Sequence, residues 1–141
     1  EITTEGGLDL RKNKHKLKKI ISRFKKRKIR TSLFINPKIS DIKISKELKT
    51  DCVEIHTGRL ANLVKSKKNF SIEFKKIYEC SKFANKLGIK VHAGHGLDYK
   101  TTKILTRIKE IEEFNIGHFL IGESIFDGLN NVIRKFKRII R

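Results

Sequence analysis

The sequence predicts an α/β protein built on a parallel sheet, and three observations carry that expectation. Short apolar runs of strand composition alternate with runs at helical spacing. The connections between them are short. Polar segments containing histidine and glycine recur where the strand-like runs stop: Glu54-Ile55-His56-Thr57-Gly58, Gly94-His95-Gly96 and Asn115-Ile116-Gly117-His118. Strict alternation implies parallel strands joined by right-handed crossovers. Four such units fit half of an eight-stranded barrel or a small open sheet, and in both the ligand sits at the strand exits.

The elements follow in order. Glu1 to Asp9 reads as a loop, with Gly6 and Gly7 permitting a tight backbone. Leu17, Ile20, Ile21 and Phe24 repeat at i, i+3, i+4 and i+7 among lysines and arginines, which predicts an amphipathic helix. Residues 29–35 predict a strand, closed by Asn36-Pro37, a pair suited to the cap and first turn of a helix reaching Leu48. Residues 52–56 predict a second strand, followed by an irregular stretch to Lys68. A longer helix is expected over 70–87, with Phe70, Phe74, Ile77 and Ala84 near one face and Gly88 ending it. Residues 89–93 predict a third strand. A short helix carrying Ile104, Leu105, Ile108 and Ile111 comes next, then a brief strand over 114–116. Leu129, Val132, Ile133, Phe136 and Ile140 predict the last helix.

Composition bounds the function classes. A length of 141 residues suits one domain with a real core. The formal net charge of +19 raises a nucleic-acid reading. Lysine greatly outnumbers arginine, however, isoleucine is abundant, and alanine occurs only at 61, 84 and 93. That pattern fits compositional drift in an AT-rich genome, with the charge on a solvated surface. The basic run from Arg11 to Arg30 carries the apolar stripe of a packed helix and lacks the polar base-reading set of a groove binder, so weak salt-sensitive attraction is expected, not specific binding. No apolar stretch approaches a membrane span. Residue 1 is Glu and the first ten residues do not resemble a signal peptide. Cys52 and Cys80, without secretory context, argue for a reducing compartment, and neither has a partner at metal-ligand spacing. A cytoplasmic protein is expected.

The strand ends hold the candidate chemistry. Glu54 and His56 are two apart on one strand and share a face of the sheet. A carboxylate and an imidazole there are either paired or functional, because burying either alone is costly. His95 lies between two glycines, uncrowded and able to exchange a proton near neutral pH. Gly117-His118 precedes the apolar run Phe119-Leu120-Ile121, and a helix beginning there would offer free N–H groups to a phosphate. His92 and His15 receive no role, the latter as a solvated residue of the basic helix.

These segments, with Glu1 to Asp9 and Ser32-Leu33-Phe34-Ile35, resemble the pyridoxine 5'-phosphate synthase family in order and spacing over the whole chain. The resemblance implies a TIM (β/α)8 barrel, with residues 1–141 as one partial domain running from the loop after strand 4 to the C-terminal helix. It implies a transferase-type ring-closing synthase of vitamin B6 biosynthesis. The family condenses 1-deoxy-D-xylulose 5-phosphate with 3-amino-2-oxopropyl phosphate to pyridoxine 5'-phosphate, phosphate and water, without metal or organic cofactor. Carried over by position, His95 is the implied proton donor and Glu54 the stabiliser of transition-state charge. Thr3 would bind the deoxyxylulose phosphate; Gly96, Gly117 and His118 would bind the aminoketone phosphate. His56 is a supporting neighbour. A homo-octamer is implied, with no membrane and no specific nucleic-acid partner.

Two positions depart from the family pattern. His92 stands where an asparagine is expected and Glu123 where a basic residue is common. The family's first half supplies an Asn-x-Asp-His segment, substrate-binding arginines and two general bases, none with a counterpart here. Residues 1–141 alone are therefore expected to fold poorly or self-associate, and to be inactive. Two other readings stand beside this one: a different phosphate-binding barrel enzyme, and a basic nucleic-acid-binding module.

Overall fold

A computed structural model describes residues 6–141. Four strands, β1 (Ser32–Ile35), β2 (Cys52–His56), β3 (Lys90–Gly94) and β4 (Ile111–Asn115), form one sheet in sequence order. All three pairings are parallel. Parallel neighbours cannot be joined by a hairpin, so a helical crossover must intervene each time. The crossovers are α2 (Ile39–Glu47) after β1, α3 (Gly58–Lys65) and α4 (Ser71–Lys86) after β2, and α5 (Tyr99–Leu105) after β3. Helix α1 (Leu10–Lys26) precedes the sheet, and α6 (His118–Asp127) and α7 (Leu129–Ile140) follow it. Alternating α/β order with an all-parallel sheet is the architecture expected, and it is consistent with part of a TIM-type barrel.

The register explains where the core lies. Leu33, Val53, Val91 and Ile111 stand side by side across the strands, and Ile35, Ile55, Ala93 and Phe114 form the next row. All of these but Phe114 are buried. They join Ile42, Leu60, Val64, Ile77, Ala84, Leu105 and Ile108 from the helices and loops in one apolar cluster. The intervening rows, Phe34-Glu54-His92-Glu113 and then His56-Gly94-Asn115, lie on the other face. Helices thus cover one face, and the polar side chains collect on the other.

Several boundaries differ from the sequence expectation. The first strand begins at Ser32, because Ile29 instead donates its N–H to the Phe24 carbonyl and completes the end of α1. Asn36 does not cap α2; the N-cap is Lys38, and the Asn36 carboxamide accepts from Gly7 N at 3.1 Å. Residues 58–65, expected to be irregular, form a helix that buries Leu60, Ala61 and Val64. Ile111 opens β4 and does not close a helix, since α5 stops at Leu105. In α1 the buried residues are Leu10 and Ile21, while Phe24 is 41% exposed, so the packed stripe is narrower than the apolar spacing suggests. Asp9 caps that helix, its side chain accepting from Lys12 N at 3.0 Å.

Among the described residues no helix is long and apolar enough to cross a membrane.

Candidate active site

The exits of β2, β3 and β4 converge because parallel strands in register end on the same rim. Glu54 stands beside His92 and two residues before the end of β2. Its carboxylate reaches across β3 to β4, where Asn115 Nδ2 donates to Oε2 at 2.7 Å. The path is open only because residue 94 is glycine: a Cβ there would fall 1.8 Å from Glu54 Oε1.

His95 follows immediately and adopts a left-handed backbone, with φ of 76°. Its loop is pinned from the neighbouring strand exit. Thr57 N donates to the Gly94 carbonyl at 2.8 Å, and the buried Thr57 hydroxyl lies 2.7 Å from the carbonyl oxygens of both Gly94 and His95. The His95 ring stacks on His56, with centroids 4.8 Å apart and planes 23° from parallel. Phe34 from β1 meets His56 edge-on at 5.3 Å. Gly58 lets the two imidazoles settle onto the start of α3, since a Cβ there would come within 2.6 Å of His95 and 2.9 Å of His56. Gly96 (φ 74°) is similarly close-fitting: its Cβ would lie 3.1 Å from that of Ala61.

Beyond β4, Gly117 is the N-cap of α6 and His118 its first residue. The first backbone N–H groups of a helix have no internal acceptor and suit an anion. Phe119 packs edge-on against Tyr99 and Phe136, which anchors the start of α6 to α7. Burial, helped by Glu123 and Asp127 of α6, pushes the Tyr99 hydroxyl above the ordinary tyrosine range.

Glu54, His95, Gly96, Gly117 and His118 therefore line one cleft of about 880 Å³. Those are all the expected site residues except Thr3, which lies outside the described residues. His56 lines a neighbouring cleft that shares His95 and Asn62 with the first. Asn62 and Lys65 of α3 also border the main cleft. Both lie in the stretch expected to be irregular up to Lys68, although Leu60 and Val64 recur at i, i+4 and Gly58, Ala61 and Val64 at every third residue. Asn115 and Thr57 stand in the strand-end segments, but local sequence gives neither a role, because each acts through a contact to another strand or its exit.

His92, given no role, has a clear structural one. It is buried, its Nε2 lies 2.9 Å from Arg30 Nη2, and its Nδ1 is 3.6 Å from a Glu113 carboxylate oxygen. Arg30 Nε also donates to Cys52 Sγ at 2.8 Å. A largely basic pocket, lined by Lys25, Arg30, Lys46, Lys49 and Lys90 with Asp51, lies around the strand starts, at the opposite rim from the cleft. Among the described residues no group of His, Cys, Asp and Glu is arranged to hold a metal.

The chain is similar to several proteins named pyridoxine 5'-phosphate synthase. It is 63% identical over 139 residues to that of Pelagibacter ubique (strain HTCC1062), covering 99% of this chain and 58% of the relative. It is 45% identical over 140 residues to that of Sulfurihydrogenibium sp. (strain YO3AOP1), covering 99% and 57%. With that of Aliarcobacter butzleri (strain RM4018) the identity is 42% over 163 residues, covering 100% and 62%. The chain thus spans about three-fifths of the length of these curated relatives. The model of one family, described as pyridoxal phosphate biosynthesis protein PdxJ, matches residues 1–141, and with a whole-chain match joined to these identities, the chain belongs to that family.

Proposed function

We propose that the protein carrying this chain condenses 1-deoxy-D-xylulose 5-phosphate with 3-amino-2-oxopropyl phosphate to close the ring of pyridoxine 5'-phosphate, releasing phosphate and water. The observation that carries the reading is the meeting of Glu54, His95, Gly96, Gly117 and His118 in one cleft of a member of this family. Joining an amine to a ketone and expelling water needs a proton donor at the departing oxygen and a fixed charge near the developing cation. His95 fits the first task. Its ring is held by stacking and by a pinned backbone, so its nitrogens keep one direction. Glu54 fits the second, because its carboxylate is fixed and borders the same cleft. In this reading the start of α6, with Gly117 and His118, receives the aminoketone phosphate beside Gly96, and Thr3 receives the other phosphate.

Residues 1–141 form, in the same reading, the second half of a barrel. Among the described residues the sheet ends at β1 and β4, whose outer edges have no neighbour, and unpaired parallel edges are satisfied by barrel closure. The whole enzyme is a cytoplasmic homo-octamer that works without metal or organic cofactor.

The test is an assay of the polypeptide carrying residues 1–141, with whatever further residues its gene encodes. It should form pyridoxine 5'-phosphate and inorganic phosphate only when both substrates are present. His95→Asn should lose turnover and keep substrate binding. No product from a folded protein would overturn the reading, and unchanged turnover in His95→Asn would remove His95 from the chemistry.

A further inference from the structure

Each oxygen of the Glu54 carboxylate meets a strand other than its own: one is held, the other is given room. Oε2 accepts from Asn115 Nδ2 on β4 at 2.7 Å. Oε1 occupies the space that a side chain on Gly94 of β3 would fill. Gly94 and Asn115 are direct register partners, so gap and donor face each other across one step of the sheet. A glutamate has three side-chain torsions, and without such a hold its carboxylate samples many positions. Asn115 is suited to the task because its amide donates without bringing a charge of its own.

We infer that Asn115 is the positioning residue for Glu54, with Gly94 as the gap that lets the carboxylate reach it. The inference rests on the proposed role of Glu54 in the condensation. Asn115 need not touch substrate; it aims the group that does. Other titratable groups around Glu54 are His56 on β2, Lys65 of α3, His92 and His95 on and after β3, Asp98 at the N-cap of α5, Glu113 on β4 and His118 at the start of α6. None of these supplies the 2.7 Å donor.

Asn115→Asp is the deciding variant, since it keeps the shape and exchanges the donor for a second carboxyl. With a proton shared between the two carboxyls the link reforms; without one, two like charges meet at hydrogen-bond distance. In the protein as its gene encodes it, Asn115→Asp should lower kcat about 10- to 100-fold at neutral pH, the loss expected for a charged hydrogen bond. KM should move little, and the deficit should narrow as pH falls. Asn115→Ala should be slow at every pH. The second readout does not depend on activity: the Glu54 side-chain carboxyl, labelled with carbon-13 and assigned by its loss in Glu54→Gln, should titrate as a coupled pair in Asn115→Asp. Wild-type kcat and pH profile in both variants, or an unmoved carboxyl titration in Asn115→Asp, would overturn the inference. A wild-type protein without synthase activity would sink the functional reading alone, and the carboxyl titration would still decide whether Asn115 governs Glu54.

Discussion

The imidazoles of His56 and His95 lie face to face, 4.8 Å between centroids, although they come from the exits of different strands. An aromatic pair of this kind contributes roughly 0.5–1.5 kcal/mol beyond its buried area. His56→Ala should therefore cost about three- to tenfold in turnover by loosening the His95 ring, while His56→Phe, which keeps a flat partner, should recover most of it. Steady-state kinetics on both variants checks this. Equal losses would show that the imidazole chemistry of His56, not its flat face, is what counts.

Gly58 sets two effects against each other. It is the first residue of α3, where alanine is favoured over glycine by at most about 1 kcal/mol, the value for a helix interior. Here the added methyl would lie 2.6 Å from His95 Cδ2 and 2.9 Å from His56 Cε1, and something must shift. Overpacking of this kind costs typically 1–3 kcal/mol, so the clash wins. Gly58→Ala should lower the melting temperature and reduce turnover together; a stabilised, fully active variant would show that the rings move aside freely.

Much of this arrangement was legible in the sequence, and the misses have physical causes. The β-α alternation and the convergence of Glu54, His95, Gly117 and His118 on one rim follow from period and position alone, because parallel strands leave no choice of side. The start of β4 is not legible because Ile104, Leu105, Ile108 and Ile111 continue a helical spacing straight through a turn, while Glu112 and Glu113 are exposed and dilute the apolar run. Asn36 looked like a helix cap, but Gly7, 29 residues earlier, takes its oxygen. Asn115 and Thr57 could not be seen as site-builders for the same reason: their hydrogen bonds join residues 61 and 37–38 positions apart. Local pattern reports faces and periods, not partners.

Asp51 makes stability depend on acid. Burial works to raise its carboxyl, but the Thr31 backbone N–H at 2.8 Å, the Thr31 hydroxyl at 3.0 Å and the charge of Lys25 outweigh it, and the group sits below the ordinary aspartate value of 3.8. A carboxyl depressed on folding adds stability that is complete above its unfolded value and disappears as pH falls through its folded value. Asp51→Asn should therefore unfold at lower urea concentration than wild type at pH 7. The gap should narrow below about pH 4. A gap of constant size down to pH 2 would assign the loss to packing and not to charge.

Both cysteines should be silent in the native protein. Cys52 has no exposed surface and Cys80 is 2% exposed. Burial, with smaller contributions from Glu79 and Asp41, pushes the Cys80 thiol up to about 12, so at pH 8 it is a neutral thiol without solvent access. A thiol reagent at pH 8 should label neither residue in buffer and both in denaturant. Rapid labelling of the folded protein would mean that the core opens far more often than its packing implies.

A histidine with φ of 76° is a residue in a backbone that glycine would occupy without strain. Position 95 is thus a point where durability and chemistry pull in opposite directions. Glycine there would relieve roughly 1 kcal/mol of backbone cost and remove the imidazole at the same stroke. A search for heat-resistant variants conducted without an activity screen would be drawn to that exchange, and would improve the molecule by emptying its cleft of an imidazole. The left-handed histidine marks a place where the sturdier backbone choice and the imidazole that lines the cleft cannot both be had.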